Sequence, residues 1–400
     1  MQRATARVLT AGVAAGIAFL PSCSGRVGAG ADGGAGGPDG GDGGGPGTLA
    51  VSITAPAAGG VVAGDAVLVT ASTGGDAVAV DFFLDGTLLA TDDGPPWELV
   101  WDTTAHANPL PAATAAPDLG YYFVDGRYGD FRSEVNGYTN LYYAWAWRNY
   151  PTDAPWGDAF STSLANAAGE DRRIHLNLQE MQYWTEALDR ATPWWAWVRR
   201  IEMADEPGWT MAETEANVAA LRAELAARGL APPPIGITCT ATQVLTEDAI
   251  FAAGLDWVGI EAYVDPPGSD VSADDVAALA AYVASAKARV PADKSLVLIM
   301  MAYDRNGGWT NLATLYDLQL ASYDLFRDDP RVLAVTMFSY GRPGGTHDHP
   351  ELKVAHALIA ERVLGISVPW LANGPRMLGA VAHDATGGTA TDEVAVTVEN

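Results

Sequence analysis

Residues 201–209 read Ile201-Glu202-Met203-Ala204-Asp205-Glu206-Pro207-Gly208-Trp209. An apolar, strand-like approach ends in two adjacent carboxylates and is stopped by proline. Carboxylates at the end of a buried strand need partners or a task, because desolvating them is costly. Similar strands recur on both sides, and eight candidates follow in order: Leu119–Val124, Asn140–Trp145, Ile174–Leu178, Arg200–Ala204, Pro234–Cys239, Trp257–Tyr263, Leu296–Ala302 and Val332–Ser339. Helical patterns separate the later ones. Met211 to Arg228 is rich in Ala, Leu and Glu and stops at Gly229; Ser272 to Val290 opens with a capping pattern; Asn311 to Arg327 and Glu351 to Leu364 complete the set. Strand alternating with helix predicts a parallel α/β sheet. No G-x-G-x-x-G follows a strand and no P-loop occurs, which argues against a nucleotide-binding sheet. The segment 113–369 is close to the ~250 residues of a (β/α)8 TIM barrel.

The flanks read differently. Val51-Ser52-Ile53, Ala66 to Ala71, Val78 to Leu84 and Trp97 to Trp101 are short strands separated by turn residues, with Asp85-Gly86 as a hairpin signal. The run Val80-Asp81-Phe82-Phe83-Leu84-Asp85-Gly86 resembles a bacterial immunoglobulin-like module. That pattern stops near Asp102-Thr103-Thr104 with two strands missing. Strands of the missing kind stand at the other end of the chain, as Met377 to His383 and as the alternating Val394, Val396 and Val398. Neither half alone closes a sandwich of about seven strands. The expectation is therefore an all-β immunoglobulin-like sandwich built from 50–108 plus 372–400, with the barrel inserted in a loop between Asn108 and Asn373. Insertion there is tolerated because the chain ends at an exposed loop lie close together. Two unrelated β segments flanking the middle are the rival reading.

Residues 1–23 read as an export signal: Arg3 and Arg7, then an apolar run from Val8 to Leu20 too short to span a bilayer. Leu20-Pro21-Ser22-Cys23 resembles a bacterial lipobox, which implies lipidation of Cys23, and Ser24 is similar to the residue that follows it in outer-membrane lipoproteins. Residues 24–49 form a Gly-rich tract with almost no apolar bulk, expected as a flexible tether. The formal net charge is −26, from 23 Lys and Arg against 49 Asp and Glu. This argues against nucleic acid, and against membrane contact other than through the lipid. The expectation is an exported monomer, lipid-anchored in the periplasm or at the cell surface. Cys239 stands alone in an apolar segment and reads as a small buried hydrophobe.

Active sites of such barrels lie at the C-terminal strand ends. Those ends carry Asp125 and Arg127, Trp145 and Trp147, Asn177 and Gln179, Asp205 and Glu206, Glu261, Tyr263 and Asp265, Tyr303 and Asp304, and Tyr340. Acids to break a bond, flat rings to stack on sugars and amides to hold hydroxyls make a carbohydrate site. Here the chain resembles the clan A glycoside hydrolases, whose fourth strand ends in Asn-Glu or a variant, often before Pro. That resemblance implies Glu206 as acid/base, with Asp205 in place of the usual Asn. Val335 to Gly341 is similar to the family's last strand, where an aromatic often floors the sugar site.

The family's nucleophile is a Glu at the end of strand seven, and Leu296 to Ala302 carries none. Hydrolysis normally needs two carboxylates, so the partner of Glu206 stays open between Glu261, Asp304 and Asp265. A barrel that binds a glycan without cleaving it is the alternative. Candidate substrate-binding residues are Asp125, Arg127, Trp145, Asn177, Asp205, Tyr263, Tyr303, Trp309 and Tyr340. Structural readings stand beside these: Glu206 bonded to Arg127 or Arg200, and Glu261 as a buried acid paired to an arginine. Trp194, Trp195 and Trp197 read as packing residues. His347-Asp348-His349 lacks a third spaced ligand, so neither a metal nor a cofactor is expected. No nucleophile elbow is present, which argues against esterase chemistry.

Overall fold

The computed structural model describes residues 47–125, 128–146, 156–179, 181–263, 273–303, 312–342 and 344–400. The expected signal peptide, Cys23 and most of the Gly-rich tract lie outside these residues.

Six strands come first: β1 (Ala50–Ala55), β2 (Val61–Val62), β3 (Val67–Gly74), β4 (Ala77–Leu84), β5 (Thr87–Asp92) and β6 (Trp97–Trp101). Eight follow: β7 (Asp118–Tyr121), β8 (Leu141–Trp145), β9 (Arg173–Asn177), β10 (Val198–Asp205), β11 (Ile235–Thr240), β12 (Trp257–Ala262), β13 (Ser295–Met301) and β14 (Val332–Phe338). Two more, β15 (Gly374–Asp384) and β16 (Thr389–Val398), come last.

β1, β3 and β6 form one sheet, and β2, β16, β15, β4 and β5 form another. β15 pairs antiparallel with β4 from Leu378↔Leu84 to His383↔Ala79, so strands from opposite ends of the chain share a sheet. Ile53, Val69, Val80, Phe82, Trp97, Leu378 and Val396 make the core of this two-sheet unit. The β4–β5 hairpin turns on Asp85 and Gly86, at φ 47° and 78°. Two successive left-handed residues are what a two-residue hairpin turn of right-handed twist requires.

β7 to β14 are the eight strands expected from the sequence, shifted by a few residues at their ends. They close on themselves as a parallel barrel. Each is followed by a helix in chain order: α1 (Arg132–Val135), α2 (Trp156–Gly169), α3 (Trp184–Ala191), α4 (Met211–Ala227), α5 (Ala241–Thr246), α6 (Ala273–Arg289), α7 (Leu312–Tyr323) and α8 (Pro350–Leu364). Thr210 caps α4, accepting from the Glu213 N–H while the Glu213 carboxylate accepts from the Thr210 N–H. That capping box starts the helix four residues after Glu206. Gly229, at φ 69°, ends it as the sequence predicts.

Alternation along the strands splits the barrel into two cores. Outward residues such as Ile201, Met203, Ile237, Val258, Ile260 and Leu298 pack under the helices. Inward ones, including Tyr122, Tyr143, Trp257, Val297, Ile299 and Ala334, fill the lumen. The fully buried Trp257 lies on Gly236, where a Cβ would stand 2.2 Å from the indole ring. At the N-terminal end of the lumen, buried Asp118 accepts hydrogen bonds from Arg173 and Arg200.

Because no side chain fits between the strand at Gly236 and Trp257, Gly236→Val is expected to destabilise the barrel by roughly 3 kcal/mol or more. Urea unfolding followed by tryptophan fluorescence measures it; an unchanged midpoint contradicts this packing.

Candidate functional site

β10 runs Val198-Arg199-Arg200-Ile201-Glu202-Met203-Ala204-Asp205. Arg200 and Glu202 are buried and bond to other lumen residues, while Ile201 and Met203 face the helices. Strict alternation would put Ala204 inward and Asp205 outward. The register instead steps from Glu202↔Gly236 to Asp205↔Thr238, three residues against two. This β-bulge re-aims Asp205 into the lumen. Glu206 follows at φ 49°, a left-handed conformation unfavourable for a residue with a Cβ, and its N–H is held by the Thr238 carbonyl at 2.8 Å. Strain of this kind persists where the surroundings over-determine it, as at functional sites.

Glu261 comes from the inner face of β12, in register with Thr240 on one side and Ile299 on the other. Together with Asp205 and Glu206 it lines a cavity of about 460 Å³ at the C-terminal mouth of the barrel. Tyr122, Trp145, Tyr263, Tyr282, Tyr303 and Phe338 form much of its wall, with Thr240 and Thr242 at one side. Tyr122 also stacks on Tyr143 below it, at 3.7 Å between ring centroids. The Phe338–Ser339 peptide is cis.

The electrostatics of the three carboxyls are those of a shared, crowded site. Burial raises the Glu261 carboxyl to about 9, helped by the charge of Asp205 and by direct hydrogen-bonding contact with Glu206; a bond from Tyr263 opposes this. Asp205 is held well above the carboxylate range by burial, then by Glu202 and Glu206, and its Oδ1 is buried without a hydrogen-bond partner. Carboxylates this close cannot all ionise at neutral pH.

Beneath the cavity lies a second polar layer. The Tyr143 hydroxyl donates to Glu202 Oε2 at 2.6 Å, and His175 Nε2 lies 2.9 Å from the same oxygen. Burial raises Glu202 to about 8 and keeps His175 neutral.

Of the residues singled out in the sequence, Trp145, Asp205, Glu206, Glu261, Tyr263 and Tyr303 meet at this cavity. Four others do not line it, among them Gln179, which accepts a hydrogen bond from the Trp145 indole N–H. Asn177 lies fully buried below, donating to the Tyr143 hydroxyl at 2.6 Å. Asp125 turns to α2, accepting from Ser163 at 2.8 Å and Asn166 at 3.2 Å. Tyr340 is buried beside Tyr121 and donates to Glu134 at 2.7 Å, because the chain leaves the barrel wall after Phe338. Arg127, Trp147, Asp265, Asp304 and Trp309 lie outside the described residues. Arg200, weighed as a partner for Glu206, is instead bound to Asp118 at the far end of the lumen.

Trp194, Trp195 and Trp197 precede β10 and so stand at the end of the barrel opposite the cavity, where Trp195 donates to Ala231 and Trp197 to Asp171. His347 rests on Phe131 and Glu134. Among the described residues no group of three His, Cys, Asp or Glu side chains is arranged to hold a metal ion.

Sequence reasoning missed Tyr122, Thr240, Thr242, Tyr282, Phe338 and the Glu202 layer. Tyr122 and Phe338 follow from extending the alternation Asp118-Gly120-Tyr122 and Ala334-Thr336-Phe338. Tyr282 comes from a helix and left no such signal.

Comparison with known proteins finds the bacterial Ig domain family at residues 50–114. No curated protein matches the chain. Among solved structures, β-glucuronidase from Ruminococcus gnavus in complex with D-glucuronic acid is similar at 11% identity and a TM-score of 0.42, covering 80% of this chain and 67% of that one. Faecalibacterium prausnitzii β-glucuronidase is similar at 11% identity and a TM-score of 0.43, covering 78% and 66%. Lactobacillus rhamnosus β-glucuronidase is similar at 14% identity and a TM-score of 0.37, covering 74% and 60%. Likenesses this distant carry no weight for activity.

Glu202 and Glu261 both bind a proton more tightly folded than unfolded. Their contribution to stability is therefore complete below the ordinary carboxyl range and is lost as pH rises through about 8 and 9. Urea unfolding between pH 5 and pH 9 is expected to show falling stability. Glu202→Gln should remove a part of that slope worth on the order of a few kcal/mol. A slope identical in wild type and both Gln variants, at Glu202 and Glu261, counts against the buried protonated carboxyls.

Proposed function

We propose that this barrel hydrolyses glycosidic bonds of a polysaccharide or glycan, with Glu206 as general acid/base and Glu261 as the second carboxylate. The observation that carries this reading is the convergence of Glu206 and Glu261 on one aromatic-walled cavity at the mouth of a parallel barrel. Retaining hydrolysis needs carboxyls about 5–5.5 Å apart and inverting hydrolysis about 6.5–9.5 Å. The charge of Glu206 acting on Glu261 within one cavity supports the shorter, retaining separation, with Glu261 as the partner in this reading.

A proton is held on Glu261 at neutral pH by burial and by the charges of Asp205 and Glu206 beside it. A sugar entering between the pair passes it to Glu206 and leaves Glu261 as the carboxylate. Glu206 then protonates the departing glycosidic oxygen while Glu261 bonds to the anomeric carbon. In the second half, water attacks that carbon, Glu206 takes the water's proton, and Glu261 is released. Trp145 and Phe338 stand in the cavity wall, where their rings can stack on a sugar.

We also propose that one immunoglobulin-like module, 50–108 plus 372–400, carries the barrel 113–369. Pairing of β15 with β4 supports this, as does the anchoring of Asn108 to α8, where its amide donates to the Leu358 carbonyl at 2.8 Å. With Cys23 lipidated and 24–49 as a tether, the protein would be a monomer held at a bacterial membrane, most simply the outer membrane, facing the periplasm or the medium.

A glycan-substrate screen of the chain tests the activity. Glu206→Gln and Glu261→Gln are each expected to cut turnover of a responsive glycan by about 10²-fold or more. Turnover that survives Glu206→Gln overturns the assignment. Glycan binding without sugar release by the wild type marks a non-catalytic glycan-binding or adhesion protein.

A further inference from the structure

The lumen beneath the cavity holds a polar cluster that the proposed reaction does not use. Glu202, His175 and Asn177 are fully buried, and Tyr143 nearly so. Glu202 Oε2 takes the Tyr143 hydroxyl and faces His175 Nε2, and Trp257 closes the cluster edge-on to His175 at 5.3 Å. Apolar side chains of similar volume in such a space are often neutral or stabilising, so stability alone does not account for a carboxyl here.

The position of Glu202 along β10 does account for it. It is the last residue in regular register before the bulge, three residues ahead of Asp205. Its side chain is clamped by β8 and β9, and its carbonyl accepts from the Leu178 N–H at 2.9 Å. The far side of the bulge is pinned by the bond from the Glu206 N–H to Thr238. Between those two anchors the extra residue has nowhere to slip.

We propose that Glu202 is a positioning residue: clamped by Tyr143 and His175, it holds the β10 register that turns Asp205 and Glu206 into the cavity against Glu261. The groups facing it are Tyr143 from β8, His175 and Asn177 from β9, Thr238 from β11 and Asp205 from its own strand. Burial keeps Glu202 protonated at neutral pH, which suits a hydrogen-bonded clamp rather than an ionic one.

The activity readout of the test rests on the hydrolase reading; a second readout does not. In the full chain, Glu202→Met is expected to lower kcat on a responsive glycan about 100-fold, as misplacement of catalytic groups by about 1 Å does, with KM nearly unchanged. Glu202→Gln, which keeps an acceptor for Tyr143, should retain activity within about fivefold, a small loss on the scale of catalytic contributions. The second readout is infrared absorption of protonated carboxyls, taking the part removed by Glu261→Gln in each background. In wild type and Glu202→Gln that part should vanish at the same pH. In Glu202→Met it should vanish about one unit lower, because the like-charge contact with Glu206 is loosened.

Tyr143→Phe removes one arm of the clamp and carries the same test if Glu202→Met does not fold. Unchanged infrared titration in both Glu202→Met and Tyr143→Phe overturns the proposal, as does a loss of thermal stability with kcat per folded molecule intact. If the wild type cleaves no glycan while the infrared shift is observed, the hydrolase reading fails and the positioning role stands.

Discussion

A closed barrel gives each inward position a fixed share of a narrow lumen, and this constraint governs the rest of the structure. Eight strands alternate in and out together, so a residue's neighbours across the lumen are set by register rather than by sequence distance. Trp257 fills its share only because Gly236 has no side chain. Asp118 at one end binds two arginines, and Asp205, Glu206 and Glu261 gather at the other. Between them sits the Glu202 layer, whose hydrogen bonds tie three adjacent strands together.

The same enclosure sets the electrostatics. Carboxyls that water would leave ionised are crowded into a space where burial and mutual repulsion both favour the proton. Access to water falls from the mouth inward. Glu206 is exposed, Asp205 and Glu261 are half-buried, and Glu202 is sealed under the ring of Tyr143. A set of acids with unequal access to water is what separates acid from base roles among residues of one chemical type. The bulge in β10 creates that gradient by turning Asp205 from the helix side to the lumen side.

Much of this was legible in the sequence, and the legible parts share a cause. All eight barrel strands were recognisable because each is a buried apolar run between breakers. Trp145, Glu261, Tyr263 and Tyr303 were recognisable because they end such runs. Tyr340 and Phe338 show where that logic weakens: both stand at the end of the eighth strand, but only Phe338 is still in the barrel wall. Asp125 shows the same weakness after the first strand, where the loop carries it to α2. Glu202 escaped notice because an isolated acid inside an apolar strand gives no local sign of the tyrosine and histidine that meet it from two other strands.

By itself the sequence determined the order of strands and helices, the alternation that divides lumen from helix-packed core, and the acid pair that closes β10. These are local properties, set by hydrophobic period, turn residues and proline. Only the tertiary structure brought Glu261 to the same cavity as Glu206, turned Asp205 inward, and made the polar layer under them continuous. Those are matters of register between strands far apart in the chain, and a single extra residue in one strand reverses the facing of everything after it.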